Sequence, residues 1–138
     1  MTDRRRRGFT MIEVLIVSGI LAVLLAIAAP MLGGYIQRLR FNEGARTFSE
    51  AVLRARDTAT SNSIAVRLEA AADTVSWFDQ VSGAALGSVS LPNGVAVTDS
   101  VTVFMSGRGL PLNQAEFQLA DSNHSGSVWL LPTGAILR

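Results

Sequence analysis

The chain contains no cysteine, no lysine and one histidine. Without cysteine there is no disulfide framework, no thiolate zinc site and no cysteine nucleophile, so an exported part is held together by packing alone. One histidine without cysteine leaves no zinc ligand set. No Gly-x-Ser-x-Gly elbow occurs to carry a serine hydrolase triad. With lysine absent, all twelve basic residues are arginines. Charge is also missing locally: across residues 9–36 the single charged side chain is Glu13. At 138 residues the chain has room for about one small domain.

What is present begins with that uncharged stretch, FTMIEVLIVSGILAVLLAIAAPMLGGYI. As a helix it measures about 42 Å, against roughly 30 Å for the hydrocarbon core of a bilayer. It is longer than the apolar core of a secretory signal peptide, so it is expected to stay in the mature chain as a single-pass anchor. Arg4, Arg5, Arg6 and Arg7 precede it. By the positive-inside rule they keep the N-terminus cytoplasmic and send the remainder across the membrane.

Glu13 is the anomaly. A carboxylate inside a bilayer costs a few kcal/mol unless it is paired. On the residues alone two readings stand: Glu13 stays wet at headgroup level, or it meets a positive charge. Cleavage after Gly8 would create such a charge, the α-amino group of Phe9, one helical turn away and favoured by the helix dipole. Pro30 removes one backbone bond and crowds the preceding turn. With Gly33 and Gly34 behind it, residues 26–35 should be the weakest part of the helix. Pro30 either marks the end of the membrane segment or loosens the helix for packing.

After Gln37 the composition changes. Phe41, Ala45, Phe48, Val52, Ala55 and Ala59 recur at alternating spacings of four and three, the mark of one apolar helical face. The charged residues lie mostly off that stripe. Glu50 and Arg54 are spaced for an exposed ion pair. The pattern fades after Thr58, so the helix should stop near Asn62. From Ile64 onward short alternating runs take over: residues 64–69, 74–78, 85–91, 95–97, 101–105, 116–119, 128–131 and 135–137. Asn93-Gly94, Gly107-Arg108-Gly109, residues 122–126 and Pro132-Thr133-Gly134 punctuate them. Seven or eight strands without intervening helices mean antiparallel sheet, too small to close a core unless Phe41, Phe48 and Val52 form one wall. The expected fold is α+β. Residues 1–8 form a leader, 9–36 a transmembrane helix, 37–63 its amphipathic continuation, and 64–138 an exported antiparallel β domain on which the helix packs.

The segment Arg7-Gly8-Phe9-Thr10-Met11-Ile12-Glu13-Val14-Leu15-Ile16 resembles the precursor signal of type IV pilins and type II secretion pseudopilins. The resemblance implies that a prepilin peptidase cuts between Gly8 and Phe9 and methylates Phe9. It further implies that Glu13 docks subunits by meeting a neighbour's terminal amine, and that Pro30 is the helix-loosening proline. Residues 103–109, 116–119 and 128–138 are similar to the C-terminal strands and glycine turns of GspH/FimT-like minor pseudopilins. The function so implied is a non-enzymatic subunit of a type IV pilus or type II secretion pseudopilus. It starts in the inner membrane with its C-terminal domain periplasmic, and then joins other pilins in a filament. No cofactor is implied.

Three further features have a plain reading beside a functional one. Asp121, Asn123 and Ser125 carry the alternating oxygens of a calcium loop, but Pro132 stands where the closing glutamate would be, and the same residues suit any hairpin turn. Arg108 and Arg138 are the candidates for a DNA-capturing role, as in FimT-like members. Those members have a Gly-Arg-x-Arg where this chain reads Gly134-Ala135-Ile136-Leu137-Arg138. From Ile64 onward three arginines face six carboxylates, the reverse of a phosphate-binding footprint. Trp77 and Trp129, at strand positions, are expected in the core.

Overall fold

In the computed structural model the described residues are 9–137. They form one helix, α1 (Met11–Asn62), and seven strands: β1 (Val66–Ala72), β2 (Thr74–Asp79), β3 (Ala85–Ser90), β4 (Ala96–Met105), β5 (Ala115–Ala120), β6 (Ser125–Leu130) and β7 (Ile136–Leu137). The chain divides into two compact units at Ile36/Gln37. The described part of the first is the beginning of α1 preceded by Phe9 and Thr10, and every large apolar side chain described there is exposed. The helix runs on through Pro30 without a break although the ring donates no bond there, and nothing approaches Gly33 or Gly34.

The second unit is the remainder of α1 packed on an antiparallel sheet of order β3-β2-β1-β4-β5-β6-β7. The 4–3 stripe is the buried face: Ala45, Phe48, Val52, Ala55 and Ala59 are in the core, and Phe41 packs against its edge. Opposite them lie the inward residues of the strands, among them Val66, Leu68, Val75, Val103, Phe117 and Leu119. The rings of Phe48 and Phe117 meet at 4.8 Å, tilted by 57°. Between β3 and β4 the chain crosses from one side of β1–β2 to the other, through Asn93 and Gly94, both with positive φ.

Five expectations change in detail. The runs at 95–97 and 101–105 belong to one strand, β4, because Thr98, Asp99 and Ser100 stay extended while exposed. Residues 64–65 are a link, and β1 instead runs on to Ala72. Ser125 and Gly126, expected in a turn, already belong to β6. Trp77 is buried, but Trp129 is 36% exposed: side chains alternate along β6, and Val128 and Leu130 take the inward positions on either side of it. On the helix, the exposed ion pair is Arg46 to Glu50 at 3.0 Å, not Glu50 to Arg54. Such pairs are worth a few tenths of a kcal/mol, so small rotamer preferences decide between them.

One glycine is fixed by packing. A Cβ on Gly44 would stand 2.6 Å from a methyl carbon of Val95, where the 91–95 loop crosses the helix. Asn93 closes the same contact by donating to the Glu43 carboxylate at 2.9 Å. Alanine at a helix interior ordinarily gains up to about 1 kcal/mol over glycine. Here overpacking of roughly 1–3 kcal/mol should win. Gly44→Ala is therefore expected to lower the denaturant midpoint, and an unchanged or raised midpoint would show that the loop yields freely.

Candidate assembly and processing site

The chemistry-bearing N-terminal residues sit where the helix starts. Thr10 is the N-cap: its carbonyl accepts from the Glu13 and Val14 amides at 3.1 and 3.3 Å. Its hydroxyl accepts from the Glu13 amide at 3.3 Å, and its own amide donates to Glu13 Oε2 at 3.4 Å. This is a reciprocal capping box, in which a threonine and a glutamate three residues on satisfy each other's orphan donors. Glu13 thus lies in the first turn, at the positive end of the helix dipole. The Thr10-x-x-Glu13 spacing announces the box in the sequence, yet reading Glu13 only as a membrane anomaly overlooks Thr10. Phe9, beside it, is 81% exposed. Gly8, the other half of the expected cleavage site, lies outside the described residues, as do the rest of the leader and Arg138. Pro30 lies within the continuous helix, 17 positions beyond Glu13.

The remaining candidates lie in the second unit. Asp121 Oδ1 accepts from the backbone amides of Asn123 and His124, both at 2.6 Å, closing the β5–β6 turn. His124 Nδ1 lies 3.5 Å from the same oxygen, without hydrogen-bond geometry, and the imidazole faces the Phe41 ring at 5.9 Å. Asn123 donates its amide to Ser122 Oγ, and Ser125 pairs with Ala120 in the ladder. Asp121, Asn123 and Ser125 are thus each engaged in building the hairpin. Among the described residues no three His, Cys, Asp or Glu side chains converge as a metal site would require. Arg108 is exposed at the tip of its glycine turn.

An arginine that the sequence did not single out organises the far end of this unit. Arg56 Nη1 donates to the Gly134 carbonyl at 3.2 Å, and its stem lies where a Cβ of Gly109 would sit. Gly109 and Gly134 both have positive φ, so the two glycine turns near the C-terminus are shaped around one helical side chain. The partners are 78 residues apart, and no local pattern signals the contact.

Two carboxylates titrate below the ordinary aspartate range. Asp79 is held down chiefly by the Ser82 amide and then that of Val81, and Asp121 chiefly by the Asn123 amide with further help from His124. A depressed folded-state pKa adds stability above the unfolded value of about 3.9, and this is lost as pH falls through the lowered folded value. Asp121→Ala should therefore flatten the acid limb of a denaturant-midpoint profile between about pH 5 and pH 2. An unaltered slope would remove the turn carboxylate from the acid response.

Comparison with known proteins matches both parts. Residues 3–29 match the model of the prokaryotic N-terminal methylation motif. A relative, the pilin-like protein PilA1 of Thermus thermophilus, is 47% identical over 51 residues. That stretch is 37% of this chain and 31% of the relative, so the similarity spans under a third of that protein. Among solved structures, the type IV minor pilin FimU of Pseudomonas aeruginosa superposes with a TM-score of 0.61 at 14% identity, covering 75% of this chain and 90% of that one. The identity is low, so this match speaks for the fold: a long N-terminal helix packed on an antiparallel sheet. With the methylation motif at one end and that fold at the other, the chain is similar to type IV pilins in both its N-terminal segment and its architecture.

Proposed function

We propose that the chain is a minor pilin or pseudopilin, a non-enzymatic filament subunit made as a precursor. The observation that carries this reading is a helix start that fits the methylation motif within a 28-residue stretch, 9–36, whose large apolar side chains are all exposed. So much apolar surface needs a cover. A bilayer supplies it before assembly, and the helices of other pilins supply it in a fibre. Prepilin peptidase cuts between Gly8 and Phe9 and methylates the new terminus. Glu13 then pairs with a neighbour's α-amino group and sets the register. Pro30, with Gly33 and Gly34, supplies a place where the helix gives way during packing. Before assembly the subunit sits in the inner membrane with residues 37–138 on the periplasmic side.

Intact-mass measurement of the chain from its native membrane tests the first step. The expected species lacks residues 1–8 and is one methyl group heavier than the truncated sequence. Retention of those eight residues would overturn the precursor reading. Fibre counts on cells deleted for this gene, with complementation, then separate the machines. Loss of fibres assigns the chain to a type IV pilus, and normal numbers assign it to type II secretion or DNA uptake.

A FimT-like DNA-capturing role is the alternative within the same scaffold, resting on Arg108 and Arg138. The excess of carboxylates over arginines in the β domain weighs against it. Salt-sensitive retardation of DNA that is lost with Arg108→Ala would revive it.

A further inference from the structure

Between β4 and β5 the ladder opens and then closes in the same register. Ala96 pairs with Ala120 and Val97 with Leu119. Counting on from there brings Phe104 opposite Leu112 and Met105 opposite Pro111, with no residue gained or lost on either strand. Pairing resumes at those positions: the Leu112 amide donates to the Phe104 carbonyl at 2.9 Å, and Met105 bridges Pro111. No rung joins 98–103 to 113–118. β4 meanwhile keeps its pairing with β1 from Val101 to Met105. The sheet has a slit, closed at both ends, in place of a continuous surface.

The slit holds a cavity of about 340 Å³, lined by residues 101–104 and 113–116. Alternation along β4 turns the backbone N–H and C=O groups of Thr102, like those of Phe104, toward the opening, while the other lip bends at Leu112 and Asn113 before β5 begins. The polar residues of the lining are Thr102, Asn113, Gln114 and Glu116, which bring a hydroxyl, two amides and a carboxylate to it. Phe104, 40% exposed, is the aromatic residue of the lining.

This set defines its ligand by exclusion. Glu116 is the one charge in the lining, so phosphate and nucleic acid are disfavoured. Hydrogen-bonding groups on both lips disfavour a lipid chain. A strand of another polypeptide needs a slot open at its ends, and here ladder pairs shut both. A compact molecule that donates and accepts at several points, with a C–H face for the ring of Phe104, fits all three constraints. The volume lies at the lower end of small-molecule sites, about 300–1,000 Å³. We propose that the slit between β4 and β5 binds a neutral saccharide unit, with Asn113, Gln114, Glu116 and Thr102 holding its hydroxyls and Phe104 stacking on its ring. Such a site would give the exported domain a recognition function independent of filament assembly.

The test uses the full chain, isotopically labelled, in a zwitterionic detergent without a sugar headgroup. Glucose, galactose, N-acetylglucosamine and maltose are titrated in turn while backbone amide resonances are followed. At least one sugar is expected to shift Thr102, Gln114 and Glu116 saturably. Glu116→Gln and Asn113→Ala should each weaken that binding about tenfold, the loss of one or two good hydrogen bonds. Asn113 is exposed and Glu116→Gln preserves the shape of a half-buried side chain, so both variants keep the fold, and Phe104→Ala adds the stacking contribution. The proposal is overturned if none of the four sugars shifts these amides, or if the shifts fall elsewhere. A Val-Thr-Val tripeptide moving the same resonances where sugars do not would also overturn it, making the slit a peptide site.

Discussion

Glu13→Ala is expected to insert in the membrane at least as well as the parent chain and to be nearly absent from sheared fibres, by a factor of about ten or more. Two losses combine. The Thr10 amide loses the carboxylate that caps it, worth about 1 kcal/mol at a helix start. The larger loss is the partner for a neighbour's terminal amine, since one charge left alone in an apolar interior costs several kcal/mol. Insertion moves the other way, because a carboxylate at bilayer depth is itself costly. Glu13→Gln separates the two contributions. Glutamine serves in a capping box but carries no charge. If Glu13→Gln assembles normally, the capping box is what matters and the ion pair falls. If it fails like Glu13→Ala, the charge is required. Thr10→Val, which keeps the carboxylate and removes the capping hydroxyl, should cost far less than either.

The sequence announces the helix better than the sheet, for physical reasons visible at particular residues. The stripe from Phe41 to Ala59 is readable because one helix face repeats every 3.6 residues whatever lies opposite. Five of the six residues the spacing names are buried, and Gly44, Ser49 and Ala51 join them because the covered face is wider than the stripe. The strands are equally legible as runs, but which neighbour each one takes is not. β1 pairs with both β2 and β4, so the chain crosses over between β3 and β4, and nothing in 91–95 encodes that choice. Trp129 was open to better reading. Val128 and Leu130 flank it, and period two forces one of the two sets outward. The slit between β4 and β5 is not legible, because the polar stretch 98–100 reads as a gap between two runs and the loss of pairing with β5 arises from tertiary structure. At the N-terminus the legibility is of another kind. Thr10, Glu13 and the apolar run are all local, and local hydrogen bonds make the helix start. Arg56 is the counterexample, a residue whose role depends wholly on two distant glycine turns.

The largest stability effect should come from Phe48→Ala. Phe48 is fully buried, and its ring meets that of Phe117, also fully buried, where the helix crosses the sheet. Removing a buried phenylalanine costs about 3–5 kcal/mol, from lost transfer energy and the cavity left behind. A domain of this size has about 5–15 kcal/mol in total, so the variant should be close to unfolding or unfolded at ordinary temperature. With a β domain this small, no second wall can take over from the helix stripe. Phe48→Leu keeps most of the volume and should lose much less. A double-mutant cycle with Phe117→Leu should return a coupling of about 0.5–1.5 kcal/mol for the ring pair. The first unit is helix by itself and needs nothing from this core. Phe48→Ala should therefore still reach the membrane, where protease removes the outer domain and leaves an anchored stub. An unfolding free energy within about 1 kcal/mol of the parent's would mean that the core is organised around other residues. Intact Phe48→Ala in fibres at normal abundance would show that filament contacts, not the helix–sheet core, hold the exported domain together.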